Sequence, residues 1–174
     1  MKMIALAAVA AFGLIGAASA QSTATSKTSD LLASGGAKIG TVTVTSAPKG
    51  ILLRVQASGL TPGWHGMHFH EKGDCSDAAF KNSGGHVHGG GTLVHGLLNP
   101  AASDSGDLPN LYVQPNGTAT VELYTTLTTA NGGGGIPALF DADGSALVIH
   151  ASPDDYTSQP IGGAGARVAC AVIR

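Results

Sequence analysis

The chain is poor in charge and in aromatic residues. Asp, Glu, Lys and Arg make up 11% of its 174 residues, and Phe, Trp and Tyr 5%. No basic run occurs, so the electrostatic footprint of a nucleic-acid binder is missing. No amphipathic helical pattern and no internal repeat can be traced. Only two cysteines are present, Cys75 and Cys170, enough for one bridge at most. What the chain has instead is glycine, 26 of them, with recurrent Thr and Val. That composition favours an all-β domain with many turns. At 43% hydrophobic, the chain is long enough to bury one core.

The first twenty residues read as an export signal. Lys2 supplies a small positive region, Ile4 to Gly16 an apolar stretch, and Ala18-Ser19-Ala20 a small-residue cleavage site. A transmembrane helix is the alternative, but the stretch is short and lacks a stop-transfer flank. Cleavage leaves a chain that starts at Gln21, with no membrane attachment. It carries eight Lys and Arg against eleven Asp and Glu, a net charge of −3. Export means an oxidising compartment, where Cys75 and Cys170 can pair. Two free buried thiols are the other reading.

Residues 21–36, "QSTATSKTSDLLASGG", read as a flexible leader, and 37–174 as the domain. A hairpin is expected around "SAPKG", with Ile39, Val42 and Val44 before it and Ile51, Leu53 and Val55 after it. "TPGWHGMHFH" turns into another strand. "LPNLYVQPNGTATVELYT" is a second hairpin with "QPNG" as its turn. "SALVIH" and "RVACAVI" are the last strands. Between Glu71 and Asp107 no period emerges, and a loop of that length in a compact domain is functional or disordered. About eight short strands without a helix give an antiparallel barrel or sandwich.

The histidines fall in and around that loop. His68 and His70 sit two apart on a strand, which puts both imidazoles on one face. His86, His88, His95, Asp104 and Asp107 lie within the loop, and His150 ends an apolar strand. A loop with so little apolar content needs something to order it, and a metal ion does so. Imidazole suits copper or zinc, and carboxylate adds a harder ligand. A solvated polar loop remains open for His88 taken singly.

The stretches "GWHGMHFHEKGDC", "SGGHVH", "HGLLNP", "SGDLPNL" and "ALVIHASPDDYTSQPIGGAGARVACAVI" resemble the copper–zinc superoxide dismutases of the bacterial exported type. The resemblance covers residues 37–174 in family order. It implies an eight-stranded Greek-key β-barrel with long metal-binding and channel loops. It implies disproportionation of superoxide in the periplasm or outside the cell, by a monomer or homodimer. Copper would be held by His68, His70, His86 and His150, with His86 also facing zinc. Zinc would take His86, His95 and Asp107, with Asp104 standing where the family has a further zinc ligand. Asp154 would link a copper histidine to a zinc histidine, Arg167 would attract the anion, and Cys75 would bridge to Cys170. His65 would be structural. Catalytic roles fall to His86 and Arg167.

Two departures stand out. Asp104 occupies the place of a family zinc histidine, and the interval from His86 to His95 is one residue longer. An Asp104-ligated or weak zinc site, an empty one, and substitution by His88 therefore all stay open. A non-catalytic copper carrier on the same fold is the rival function. It would be expected to lack a copper ligand or the arginine, and this chain keeps both.

Overall fold

The computed structural model describes residues 24–174, so the export segment lies outside the described residues. Nine strands run in chain order: β1 Ser26–Ala33, β2 Lys38–Ala47, β3 Gly50–Ser58, β4 Gly63–His65, β5 Met67–His70, β6 Leu111–Val113, β7 Thr118–Thr125, β8 Ser145–His150 and β9 Arg167–Ile173. A single 3-10 turn, Lys81–Ser83, is the only helical element among the described residues. No described helix is long and apolar enough to cross a membrane.

All pairings between these strands are antiparallel, in the order β5-β8-β9-β1-β2-β3-β7, with β4 on β6 as a separate pair. Only Gly66 separates β4 from β5, so the two are one bent strand, and eight strands remain, as expected. Its first half pairs with β6 and its second with β8. β6 turns through Gln114–Gly117 into β7, with Gln114 N–H donating to the Thr118 carbonyl at 2.8 Å. The two edges of the sheet thus curl towards each other. The chain jumps from β3 to β4 and from β7 to β8, which makes the Greek-key order.

Period-two alternation explains the core. Ile51, Leu53 and Val55 of β3 point inward, while Leu52, Arg54 and Gln56 point out. Val42 and Val44 of β2 meet them across the "SAPKG" turn. In β5, Met67 and Phe69 enter the core. By the same alternation His68 and His70 face the other way, yet both are buried. β8 is likewise buried at all six positions. The outer face of these strands is not solvated because the long loops 71–110 and 151–166 fold over it. A satellite cluster of Phe80, Ala146, Val148 and Cys170 packs there, against Cys75.

The flexible leader needs correction. Residues 26–33 form β1, set between β9 and β2 rather than at an edge. Ser26 and Thr28 face solvent, where hydroxyl pairs such as Thr28–Thr43 (2.8 Å) cross to β2. Leu31 alone is fully buried. One inward apolar residue in a Ser/Thr-rich stretch leaves no alternation to read, and the partner strands supply the rest.

Candidate metal centre

β5 presents His68 and His70, the end of β8 presents His150, and the loop after β5 brings His86 beside them. The His70–His86 backbone bridge pins that loop to the strand. In each ring one nitrogen is engaged. His68 Nε2 is 2.8 Å from Asp154 Oδ2, His70 Nδ1 is 3.0 Å from the Gly84 carbonyl, and His150 Nδ1 is 3.0 Å from the Gly165 carbonyl. His86 Nδ1 is 2.6 Å from Asp104 Oδ2. The other nitrogens, His68 Nδ1, His70 Nε2, His86 Nε2 and His150 Nε2, are buried without a hydrogen-bond partner. One ligand atom from each of these four residues lies within 4.8 Å of all the others. Buried polar atoms are rarely left unpaired, so four converging on one point call for an ion.

A second set adjoins the first. One ligand atom each from His68, His86, His95 and Asp107 also fits within 4.8 Å. His68 already serves Asp154 with one nitrogen and the first set with the other, so it adds little here. Asp104 closes the corner better. Its Oδ2 is 2.6 Å from His86 Nδ1 and 3.5 Å from His95 Nδ1. Asp107 Oδ1 is 2.6 Å from His95 Nδ1 and 3.7 Å from His86 Nδ1. Ligand separations of ~3.3 Å are what a tetrahedral zinc with bonds near ~2.0 Å requires. His95 Nδ1 and Asp107 Oδ1 are again buried and unpaired. His86, His95 and Asp107 could hold a zinc ion here, and Asp104 lies within reach of the same corner. His88 does not reach this corner. It is half-buried, and its Nδ1 lies 3.0 Å from the His86 carbonyl.

Asp154 joins the two sets, with Oδ2 on His68 and Oδ1 on His95 Nε2 at 3.1 Å. It is fixed in turn by Tyr156 N–H, which donates to Oδ1 at 2.6 Å, and by Asn110, whose Oδ1 accepts Asp154 N–H at 2.9 Å. Gly162 lies against the same carboxylate. A Cβ there would run into Asp154 Oδ1, and its φ of +58° is left-handed, so glycine is required twice over. Sequence reasoning did not assign Asn110, Gln159, which holds the His95 backbone from both sides, or the Gly84 and Gly165 carbonyls. Backbone acceptors leave no signal in residue identity.

Arg167 begins β9 and reaches over the loop. Its guanidinium donates to the Phe80 carbonyl (2.6 Å), Ser83 Oγ (3.0 Å) and the Gly84 carbonyl (2.8 Å). The Gly84 carbonyl therefore anchors both Arg167 and His70. His65 is structural, as expected. Its ring nitrogens face the His150 carbonyl at 2.6 Å and the Thr61 carbonyl at 2.8 Å, leaving none for a metal. Trp64 packs on Tyr112 at the surface rather than in the core, with ring centroids 4.9 Å apart. Cys75 and Cys170 are bonded.

Burial sets the electrostatics. It lowers His68 and His150 to about 4 and His70 to about 2, with the Asp154 bond opposing the shift at His68. Burial, then the adjacent Asp104 charge, raises Asp107 to about 6. Burial alone would lower His95, but Asp107 and Asp154 outweigh it and hold that ring above its ordinary value. In the unfolded chain the three lowered rings protonate near ~6.5, and in the folded protein they do not until far lower. Their contribution is complete above pH ~6.5 and is lost as pH falls, at ~1.4 kcal/mol per unit for each ring. Asp107 works the other way below its raised value, and the raised His95 adds stability that is lost as pH rises past ~6.5, but three lowered rings outweigh two groups. Metal-free protein is therefore expected to melt at a clearly lower temperature at pH 5 than at pH 7. Equal melting at the two values would show that the rings accept protons in place.

The comparisons agree with this geometry. The family model for copper/zinc superoxide dismutase matches residues 38–173. A copper–zinc superoxide dismutase of Caulobacter vibrioides is 59% identical over 149 residues, 86% of each chain. Among solved structures, the superoxide dismutase-like protein of Bacillus subtilis superposes with a TM-score of 0.78 at 33% identity, covering 84% of this chain and 97% of that one. The Brucella abortus copper–zinc enzyme superposes at 0.69 and 30% identity, covering 86% and 100%. The chain belongs to the copper/zinc superoxide dismutase family. It is an oxidoreductase acting on superoxide, and its histidine clusters can hold copper and zinc.

Proposed function

We propose that this chain disproportionates superoxide outside the cytoplasm, as a monomer or homodimer. Two superoxide anions and two protons give O₂ and H₂O₂. Copper would be held by His68, His70, His86 and His150, and zinc by His86, His95, Asp104 and Asp107. The observation that carries the reading is the convergence of four buried, unpaired imidazole nitrogens. Copper in such a set supplies a one-electron acceptor and donor. The protein does the rest. Asp154 and the Gly84 and Gly165 carbonyls leave one nitrogen of each of three rings free for the ion. Arg167, locked by three acceptors on the metal loop, holds a positive charge where an anion approaches, which matters in a chain of net negative charge.

The test is superoxide-dependent dye reduction with copper-loaded protein. Copper binding without turnover would favour the carrier reading. Arg167→Ala is expected to lower the bimolecular rate about tenfold and to flatten its fall with added salt, since screening acts on the attraction removed. Pulse radiolysis across ionic strengths would measure both. An unchanged rate and salt slope would make Arg167 a loop anchor only.

The bacterial relatives and the disulfide support an oxidising compartment. The periplasm is the compartment proposed, with residues 1–20 removed on export. Cell fractionation and an intact mass that starts at Gln21 would test it. Protein retained in the cytoplasm at full length would refute it.

A further inference from the structure

The His86–Asp104 pair stands out by its hydrogen-bond geometry. His95 Nδ1 and Asp107 Oδ1 also lie 2.6 Å apart, but without the geometry of a hydrogen bond. His86 Nδ1 and Asp104 Oδ2 are already hydrogen-bonded at 2.6 Å, in a site where Asp104 is almost fully buried. Asp104 is itself fixed. Its Oδ1 accepts Gly106 N–H at 2.8 Å, and its own N–H donates to the Val94 carbonyl at 3.1 Å. Gly106 cannot be enlarged, because a Cβ there would strike the Phe69 carbonyl. The carboxylate is therefore aimed at His86 by a rigid turn.

An ionised carboxylate can only accept hydrogen bonds. Its partner in the bond must be Nδ1–H, and a neutral imidazole with its proton on Nδ1 has a bare lone pair on Nε2. That lone pair is the one that points at His68, His70 and His150. A zinc ion on Nδ1 would direct the ring in the same sense. We infer that Asp104 is a positioning residue that does zinc's orienting work on His86, so that the copper site of this chain is formed whether or not zinc is bound. The inference rests on the copper assignment made above and deepens it. Zinc at this corner becomes an addition that must displace the His86–Asp104 hydrogen bond.

Asp104→Asn tests it with almost no change of shape. An amide offers one acceptor and one donor where the carboxylate offers two acceptors. Either the Gly106 N–H or the His86 Nδ1–H then faces an N–H group. The ring is no longer held to one tautomer. Two measurements on zinc-free protein are needed. Long-range proton–nitrogen NMR of the metal-free wild type should show His86 protonated on Nδ1 alone, and Asp104→Asn should show a mixture or the opposite tautomer. Copper(II) affinity without zinc should fall about tenfold or more in Asp104→Asn, within the range that losing an outer partner of a ligand costs. Zinc at saturation, held in the variant by His86, His95 and Asp107, should restore its copper affinity, and should leave wild-type copper affinity nearly unchanged. A purely structural role would not be rescued by zinc. Equal zinc-free copper affinity in the two forms, or His86 protonated on Nε2 in the wild type, would overturn this inference alone. Absence of a tight copper site in the wild type would overturn the copper assignment and this inference with it.

Discussion

His150→Ala abolishes superoxide turnover and leaves a folded barrel. That result is expected because fold and chemistry use different parts of this residue. Its backbone ends β8, a strand paired along its length with β5 on one side and β9 on the other. Its N–H donates to the Gly66 carbonyl at 2.8 Å, which a substitution of the side chain leaves in place. The ring does not belong to the main core. It meets the His68 and His70 rings, with centroids 4.9 and 5.9 Å away, on the loop-covered face. Removing it deletes one of four converging nitrogens and frees the Gly165 carbonyl. Loss of a ligand should exceed the ~10–100-fold that losing an outer-shell partner costs, so no measurable turnover should remain. Far-ultraviolet circular dichroism and metal analysis must accompany the assay. His88→Ala is the control, since the His88 ring hydrogen-bonds only the His86 carbonyl and the substitution leaves its backbone bridge to Asp104 in place, so activity should be kept. Turnover within a few-fold of wild type in His150→Ala, at full copper occupancy, would remove His150 from the site.

The part of this architecture legible in the sequence was the part set by local chemistry. Alternation gave β2 and β3, a continuous apolar run gave β8, "QPNG" gave the β6–β7 turn, and His68 and His70 two apart gave a shared face. His86 and His150 could be gathered only through the family resemblance, because 64 residues and two strands separate them. β1 escaped because its one fully buried residue, Leu31, sits in a run of Ser and Thr whose partners lie on other strands. The sequence also left the zinc corner open between Asp104, His88 and an empty site. Three-dimensional placement sets Asp104, and not the His88 ring, against the His86 ring. A two-residue step from His86 turns His88 back on the backbone, while the loop returns Asp104 to His86 across eighteen residues. What no residue pattern carries is the set of carbonyls at Gly84 and Gly165 that orients the copper rings.

Reducing the Cys75–Cys170 bond should destabilise the metal-free protein by ~4–5 kcal/mol, by the loop-entropy rule for a closed loop of 95 residues. For a domain of this size that is a fall of about 10–15 °C in melting temperature. Domains are stable by only ~5–15 kcal/mol, so the bond supplies a large share of the whole. Its placement adds a functional cost. Cys170 lies on β9, paired with Leu32 of β1 and Val148 of β8, which is as rigid as any point in the barrel. Cys75 begins the loop that carries Phe80, Ser83 and Gly84. Those residues hold Arg167, and Gly84 also holds His70. Freed from the strand, the loop should lose its grip on both, and the dismutation rate and the copper affinity should fall together. Metal ions pull the other way. His86 and His95 lie further along the same loop, so copper and zinc would tie it down at a second point. The stability gap between oxidised and reduced protein should therefore be widest without metal and narrower with both ions bound. Denaturant melts of the oxidised protein and of Cys75→Ala/Cys170→Ala, each with and without metal, measure all four states. A gap of the same size in the metal-free and metal-loaded pairs would show that bond and ions anchor independent parts of the loop. No gap in the metal-free pair would show that the loop holds to the barrel without the bond, through the packing of Phe80 on Ala146 and Val148.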